Sequence, residues 1–294
     1  KDMKSIVTGG AGFIGSHLVD KLVDLGHEVI VIDDYSSSGI AGFNKSVTYH
    51  GICINNPYVA TLFQNVDYVF HLAAESRIQP ALQNPELTVK TNVLGTCKIL
   101  KYALDYGVRR VMYSSTSSAY GLINPIPLKE DMKKDCLNPY SITKVAGEDF
   151  CNMYNNLYGL ETVTFRYFNV YGEGQPTQGQ YAPVVGLFQR QSAAGEAMTI
   201  VGDGEQTRDY VHVSDVVEAN IAAMNATKDA CGEIFNIGTG VNHSVNDIAR
   251  MIGGEVKHIP NRIGEARDTK ADISKAKRIL NWEPKVKLED WLNE

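Results

Sequence analysis

Short apolar runs alternate with amphipathic stretches through the first half of the chain, and this alternation predicts strand, helix, strand in regular succession. Lys4 to Thr8, Glu28 to Ile32, Val47 to His50, Val66 to His71 and Arg110 to Ser115 read as strands. Ser16 to Leu25, closed by Gly26, then Pro57 to Gln64 and about Pro85 to Tyr106 carry helical periodicity. A longer helix, Pro139 to Tyr158, opens on Asn138 and Pro139, residue types suited to the N-cap and first helical positions, and a strand over Thr162 to Phe168 follows. The fold class predicted is α/β, a doubly wound parallel sheet covered by helices on both faces.

After Phe168 the pattern loosens. A loop rich in Gln and Gly, Gly172 to Gln180, leads to a helix over Ala182 to Ala194 and a short strand, Met198 to Val201. V-H-V-S-D-V-V-E-A-N starts a helix capped by Ser214, Glu233 to Ile237 reads as a strand, and Ser244 to Ile252 and Asp272 to Leu280 as short helices. Leu288 to Glu294 begins a last one. The division expected is a nucleotide-binding domain over residues 1–168, with 209–238 returning to it, and a smaller mixed α/β lobe over 169–294.

Composition narrows the partners. At 294 residues, 44% hydrophobic and 21% charged, the chain is long enough for a large core and two lobes. A net charge of -6 without a dense basic run argues against nucleic acid or an anionic membrane, so individual arginines must handle any anionic ligand. No apolar run reaches membrane-spanning length, and the first residues lack a signal-peptide core. Five scattered cysteines without a C-x-x-C pair predict a reduced, cytoplasmic setting. The histidines show no metal-ligand spacing, and no metal is expected.

The first strand runs into T-G-G-A-G-F-I-G and then a helix, with Gly9, Gly12 and Gly15 three residues apart. Such glycines permit a tight turn, close approach of backbone to a pyrophosphate, and close packing of helix on strand, while the helix N-terminus faces the anion. The second strand ends in Asp33 and Asp34. A carboxylate there accepts from both hydroxyls of an adenosine ribose, and no Arg between Asp34 and Ser46 is available for a 2'-phosphate, which favours NAD over NADP. The fourth strand ends in the run H-L-A-A-E-S, whose small residues would let a dinucleotide lie across the sheet edge.

The fifth strand ends in the hydroxyl-rich run Ser114 to Ser118, which places Thr116 beyond a carboxyl end of the sheet, where ligands sit in such folds. Tyr140 and Lys144, four residues apart, share one face of the long helix. A chain with 15 tyrosines shows about one such pair by chance, and a surface tyrosine beside a solvated lysine is the competing reading. An ammonium one turn away and the positive end of the helix dipole would both favour a phenolate able to act as a base.

T-G-G-A-G-F-I-G, the S-S-T strand end, Tyr140 with Lys144, R-Y-F-N-V-Y-G, R-D-Y-V-H-V-S-D-V, F-N-I-G-T-G and A-D-I-S-K-A together resemble the extended short-chain dehydrogenase/reductases, and within them the nucleotide-sugar 4-epimerases. The resemblance spans essentially the whole chain and implies a Rossmann-like first domain. It implies Thr116, Tyr140 and Lys144 as catalytic residues, and Gly9, Gly12, Phe13, Ile14, Gly15, Asp33, Leu72, Ala73, Ala74 and Ser114, with Tyr140 and Lys144, as NAD contacts. Ser117 and Asn169 are implied on the substrate, Arg208 and Arg262 as the clamp on its diphosphate, and Thr269 as a wall of the sugar pocket.

A small residue at that wall is expected to admit N-acetylated sugars, so UDP-GlcNAc and UDP-GalNAc, or the glucose and galactose forms, are expected substrates, unless Thr269 faces solvent and decides nothing. The family's usual homodimer would pair the helices near 85–106 and 139–158. Two departures stand out. Cys53 and Ile54 replace an Asp-Ile pair that touches adenine, and Ser117 and Ser118 replace the acidic residues that dehydratases carry after the catalytic Thr. Neither serine can protonate a departing hydroxyl. Other sugar-nucleotide chemistry of the same superfamily, by a 4,6-dehydratase, decarboxylase or 4-ketosugar reductase, and a non-catalytic NAD-binding sensor are the competing functions.

Overall fold

The structure, a computed structural model, describes residues 2–37 and 42–294. The first lobe runs through β1 (Lys4–Thr8), α1 (Phe13–Asp24), β2 (Glu28–Ile32), β3 (Thr48–His50), β4 (Tyr68–His71), α2 (Ile78–Gln83), α3 (Pro85–Val89), α4 (Gly95–Asp105), β5 (Arg110–Thr116), α5 (Pro139–Tyr158) and β6 (Glu161–Tyr167). The second half contributes β7 (Asn169–Tyr171), α6 (Val184–Ala193), β8 (Met198–Val201), β9 (Thr207–His212), α7 (Val213–Asn225), β10 (Glu233–Ile237), β11 (Asn242–Ser244), α8 (Val245–Ile252), β12 (Val256–Ile259) and α9 (Leu288–Leu292).

Seven strands form one parallel sheet in the order β3-β2-β1-β4-β5-β6-β10. The chain winds outward from β1 to β3, then returns to β4 on the other side, which opens a crevice beyond the carboxyl ends of β1 and β4. Apolar side chains cover both faces: Val7, Leu18, Phe165 and Phe235 belong to one buried cluster, and Ile6, Val69, Val111 and Tyr154 to the other. The loosely patterned second half adds a three-stranded sheet, β11-β9-β7, and the pair β12-β8, around a third core that includes Phe188, Ile200 and Ile248. Ile273, Ala276 and Trp282 of the tail join the core of the large sheet instead.

Several elements depart from the periodicity reading. α1 begins at Phe13 instead of Ser16, because the Gly12 amide bonds the Gly9 carbonyl at 3.1 Å and the helix needs no side-chain cap. The segment from Pro85 to Tyr106 is interrupted by a π turn over Lys90–Leu94. That turn buries Asn92, whose amide accepts from the Glu75 N–H at 2.8 Å and donates to the Glu75 carbonyl and the Thr143 hydroxyl, both at 3.0 Å. Pro57–Phe63 is a 3-10 helix, and the tail helix reduces to a short piece with a π turn at Ala276–Leu280. The cap of α7 is His212, whose Nδ1 accepts from the Ser214 N–H at 3.1 Å; Ser214 itself lies within the first turn.

Four buried polar residues hold the layers in register. Glu148 of α5 accepts from Arg166 Nε at 3.0 Å, Arg166 Nη2 at 2.7 Å and the Ser115 hydroxyl at 2.5 Å, which ties the helix to β6 and β5. Arg110 pairs with Glu161 and donates to the carbonyls of Ala223 and Ala226 at 2.7 and 2.8 Å, a cation at the C-terminal end of α7. Asp209 of β9 accepts from Thr239 N and Oγ1, Gly240 N and Ala271 N, all within 3.0 Å. His71 bridges the hydroxyls of Thr8 and Thr96 at 2.6 and 2.8 Å, and burial, with the nearby Lys144 charge, lowers its pKa to about 3.

Removing the Glu148 carboxylate would strand a buried guanidinium, so Glu148→Ala should lose about 3–5 kcal/mol of stability, read as a shift of the urea midpoint, while Glu148→Leu with Arg166→Met should recover most of it. The unfolded chain takes up a His71 proton near pH 6.5 that the folded protein refuses down to about 3. Acidification from pH 6.5 to 5 should therefore cost about 1.4 kcal/mol per pH unit from this group, with half-buried His27 acting in the same direction. His71→Gln should flatten the urea-midpoint profile by that slope; an unchanged slope would refute the assignment.

Candidate active site

At Gly9 and Gly15 the glycine turn leaves room for nothing but backbone. Gly9 has φ of 71°, and a Cβ there would lie 2.8 Å from Ala73 N, while a Cβ on Gly15 would lie 2.1 Å from the Gly9 carbonyl. A Cβ on Gly12 would meet only that carbonyl, at 3.3 Å, so the turn is open above the helix. α1 starts there with neither a capping side chain nor an acid in its first turn, and Phe13 and Ile14 are its first residues. Asp33 closes the side of the turn: Oδ2 accepts from Ala11 N and Oδ1 from Tyr35 N, both at 2.9 Å. Each oxygen keeps a lone pair. Across the turn the Thr8 hydroxyl accepts from Leu72 N and Ala73 N at 3.0 and 3.1 Å, and Ala74 follows in the same loop.

This cradle fits a dinucleotide: uncapped helix donors for a pyrophosphate and a carboxylate at the end of β2 for ribose hydroxyls. The stretch from Asp34 to Ser46 that bears on a 2'-phosphate includes residues 38–41, which lie outside the described residues. Of the departures noted above, Cys53 is exposed, whereas Ile54 is buried against Gly95.

α5 presents the second group of residues. Asn138 caps it as its sequence predicts, Oδ1 accepting from Ser141 N at 2.8 Å, and the same amide donates through Nδ2 to the Gly264 carbonyl at 2.8 Å. Gly147 lets the helix approach β5, since a Cβ would lie 2.0 Å from the Tyr113 hydroxyl, which donates to the Lys144 carbonyl at 3.1 Å.

Tyr140 is half-buried, with Thr116 beside its phenol. Burial pushes its phenol up, with the Thr116 bond working against that rise, so the phenolate expected from the dipole and the nearby ammonium is not favoured by the chain alone. Lys144 is buried, its pKa lowered to about 8 by desolvation against the opposing pull of Cys151 and Glu148, and its Nζ lies 4.7 Å from the Tyr113 ring centroid. The Ser114 hydroxyl donates to Tyr167 at 2.8 Å, which leaves its lone pairs free.

Ser117, Asn169, Arg208, Arg262 and Thr269 come together around one cavity of about 230 Å³. Arg208 donates to the carbonyls of Thr207, Ala266 and Arg267 at 2.7, 2.7 and 3.0 Å, with no paired carboxylate among the described residues. Arg262 donates to the Gln180 carbonyl at 2.7 Å and lies 5.1 Å from the Tyr181 ring centroid. Thr269 is buried in the wall and does not face solvent. Two guanidinium forks in one cavity suit paired phosphate oxygens. Thr116, Tyr140 and Lys144 are not on this wall; Ser118 is, and its hydroxyl lies 3.1 Å from that of Thr116. The motif reading missed Ser118, Tyr181, Gln206 and Glu265 as wall residues.

Over residues 5–238 the chain matches the NAD dependent epimerase/dehydratase family. It is 36% identical to the putative UDP-glucose 4-epimerase of Methanocaldococcus jannaschii across 97% of this chain and 94% of that protein. UDP-glucuronic acid decarboxylase 1 of Xenopus tropicalis is also 36% identical, across 100% of this chain and 71% of its own length. The crystal structure of UDP-glucose 4-epimerase with UDP-glucose from Thermotoga maritima aligns with a TM-score of 0.94 at 39% identity, covering 99% of this chain and 96% of that one. Likeness of that extent, joined to the glycine cradle and the parallel sheet around it, makes this chain a member of the NAD dependent epimerase/dehydratase family.

Proposed function

We propose that the protein is an NAD-dependent epimerase that inverts C4 of a hexose carried on a nucleoside diphosphate, through a 4-keto intermediate. The observation that carries this reading is the cavity shared by Arg208, Arg262 and the Ser117–Ser118 wall, one hydrogen bond away from the Thr116–Tyr140 pair. The glycine turn, Asp33, the 72–74 loop, Ser114 and Lys144 would hold NAD. Residues 1–168 with 209–238 form the cofactor half in this reading, and the remainder up to 294 supplies most of the sugar-nucleotide site. Bound oxidised NAD supplies a hydride acceptor and a positive charge, and a cation near the Tyr140 phenol favours its phenolate.

Tyr140 takes the proton of the sugar 4-hydroxyl, directly or through Thr116, and returns it once the sugar has turned over. The Lys144 ammonium sustains the phenolate charge. Asn169, Arg208 and Arg262 anchor the diphosphate, so binding energy sits away from the sugar and leaves it free to rotate. Elimination of a hydroxyl needs an acid beside Thr116, and Ser117 and Ser118 offer none, which favours inversion over dehydration. The small Thr269 in the wall favours a pocket open to N-acetylated sugars as well as to glucose and galactose.

A second copy of the chain is the proposed partner. Ile142, Met153 and Leu157 are exposed along one stripe of α5, and Leu87, Val89, Leu94 and Tyr106 are exposed along the neighbouring helical segment. Light scattering should give the mass of a dimer, reduced to that of a monomer in Ile142→Glu with Leu157→Glu; a monomeric wild type would refute the pairing.

Incubation with UDP- and GDP-linked sugars, followed by NMR of the C4 proton, should show inversion without a change in mass. No inversion with any sugar would overturn the proposal. Tyr140→Phe should lower kcat by about 10³-fold while leaving UDP binding nearly intact. Undiminished turnover in that variant would remove Tyr140 as the base.

A further inference from the structure

The hydroxyls best suited to proton transfer stand one step behind the cavity. Ser117 and Ser118 line the wall, and Thr116 and Tyr140 do not. Ser118 belongs to both places: its N–H donates to Thr116 Oγ1 at 3.1 Å, and the two hydroxyl oxygens are 3.1 Å apart. Thr116 in turn meets the Tyr140 phenol. The hydroxyls of Tyr140, Thr116 and Ser118 thus follow one another toward the cavity, with Thr116 and Ser118 in direct hydrogen-bond contact. Among the described residues, Ser117 has no hydrogen bond to Thr116, although it shares the wall.

Inversion makes an unusual demand on such a series. The 4-hydroxyl must be deprotonated in one orientation of the sugar and reprotonated in another, and a single fixed base cannot lie equally close to both. Two hydroxyls at different positions on one proton path satisfy that demand.

Building on the epimerase reading above, we propose that Ser118 is a catalytic proton relay, exchanging the O4 proton in one orientation of the sugar while Thr116 or Tyr140 exchanges it in the other. In the Ser118 orientation the O4–H bond breaks and its proton passes to Ser118 Oγ. The Ser118 hydrogen moves to Thr116 Oγ1, and the Thr116 hydrogen to the Tyr140 phenolate. The C4–H bond breaks with its electron pair, which bound oxidised NAD would accept as hydride, and C4=O forms. Serine and threonine each end with one hydrogen, and the phenol holds the proton that the sugar lost. Reduction from the opposite face of C4 restores the hydroxyl and the phenolate.

The test is single-turnover reduction of the bound nicotinamide, followed by absorbance, starting separately from each C4 epimer of a substrate found in the sugar panel. Ser118→Ala should slow reduction by about 10²-fold from one epimer and by less than about threefold from the other, with Ser118→Thr restoring the rate. UDP affinity by calorimetry and the thermal midpoint should be unchanged in Ser118→Ala. Equal losses from both epimers, or no loss from either, would overturn the relay while leaving the epimerase reading intact. A wild type that inverts no sugar would overturn both.

Discussion

The buried pair of Glu148 and Arg166 is the constraint on which the candidate site depends. Taking a carboxylate and a guanidinium out of water is costly, and the cost is offset only when the geometry is complete. Here it is: two Arg166 donors and the Ser115 hydroxyl all converge on one carboxylate. Glu148 lies one helical turn past Lys144, and Ser115 is the neighbour of Thr116. The pair therefore sets the depth and rotation of α5 against β5 and β6, and with them the distance between the phenol and the threonine that meets it. Gly147 and Tyr113 complete the fit by allowing helix and strand to touch.

A second constraint joins the halves of the molecule. R-D-Y, F-N-I-G-T-G and A-D-I lie far apart in sequence, yet all three meet at the Asp209 carboxylate. Burial raises the pKa of that carboxylate and its four donors oppose the rise, which makes Asp209 a fastening for three loops and not a free acid. Of these three motifs only R-D-Y opens onto the cavity, through Arg208 and Tyr210. Arg110 acts likewise on the opposite side, holding the end of α7 to the sheet through its backbone carbonyls. Much of what makes the second half recognisable in sequence is thus the means by which a discontinuous fold closes.

The first lobe was legible because β1, β2, β4, β5 and β6 are buried almost throughout and its longest helix is bounded by residues with a local reason to start and stop it. The bounds of α5 follow directly from Asn138 and from Gly159, which takes the left-handed conformation at φ of 71°. What escaped the sequence was set by tertiary partners. The π turn around Asn92 exists because Glu75 and Thr143 reward the extra residue, and neither is near in the chain. β7, β9 and β11 are short and partly polar, so no periodicity marks them. The rise in the Tyr140 pKa escaped for the same reason: helix position and charge sequence are readable, but depth of burial is not.

Asn138 carries a consequence for which residue its position tolerates. A helix start accepts Asn, Asp, Ser or Thr almost interchangeably, because each offers an oxygen to the first free N–H groups. At this start the other end of the amide is also spoken for, by the Gly264 carbonyl two residues from Arg262. Asp has the oxygen but no N–H, and Ser and Thr are too short to serve both ends. Four equivalent caps are narrowed to one, and the choice is made by a loop 126 residues away in sequence.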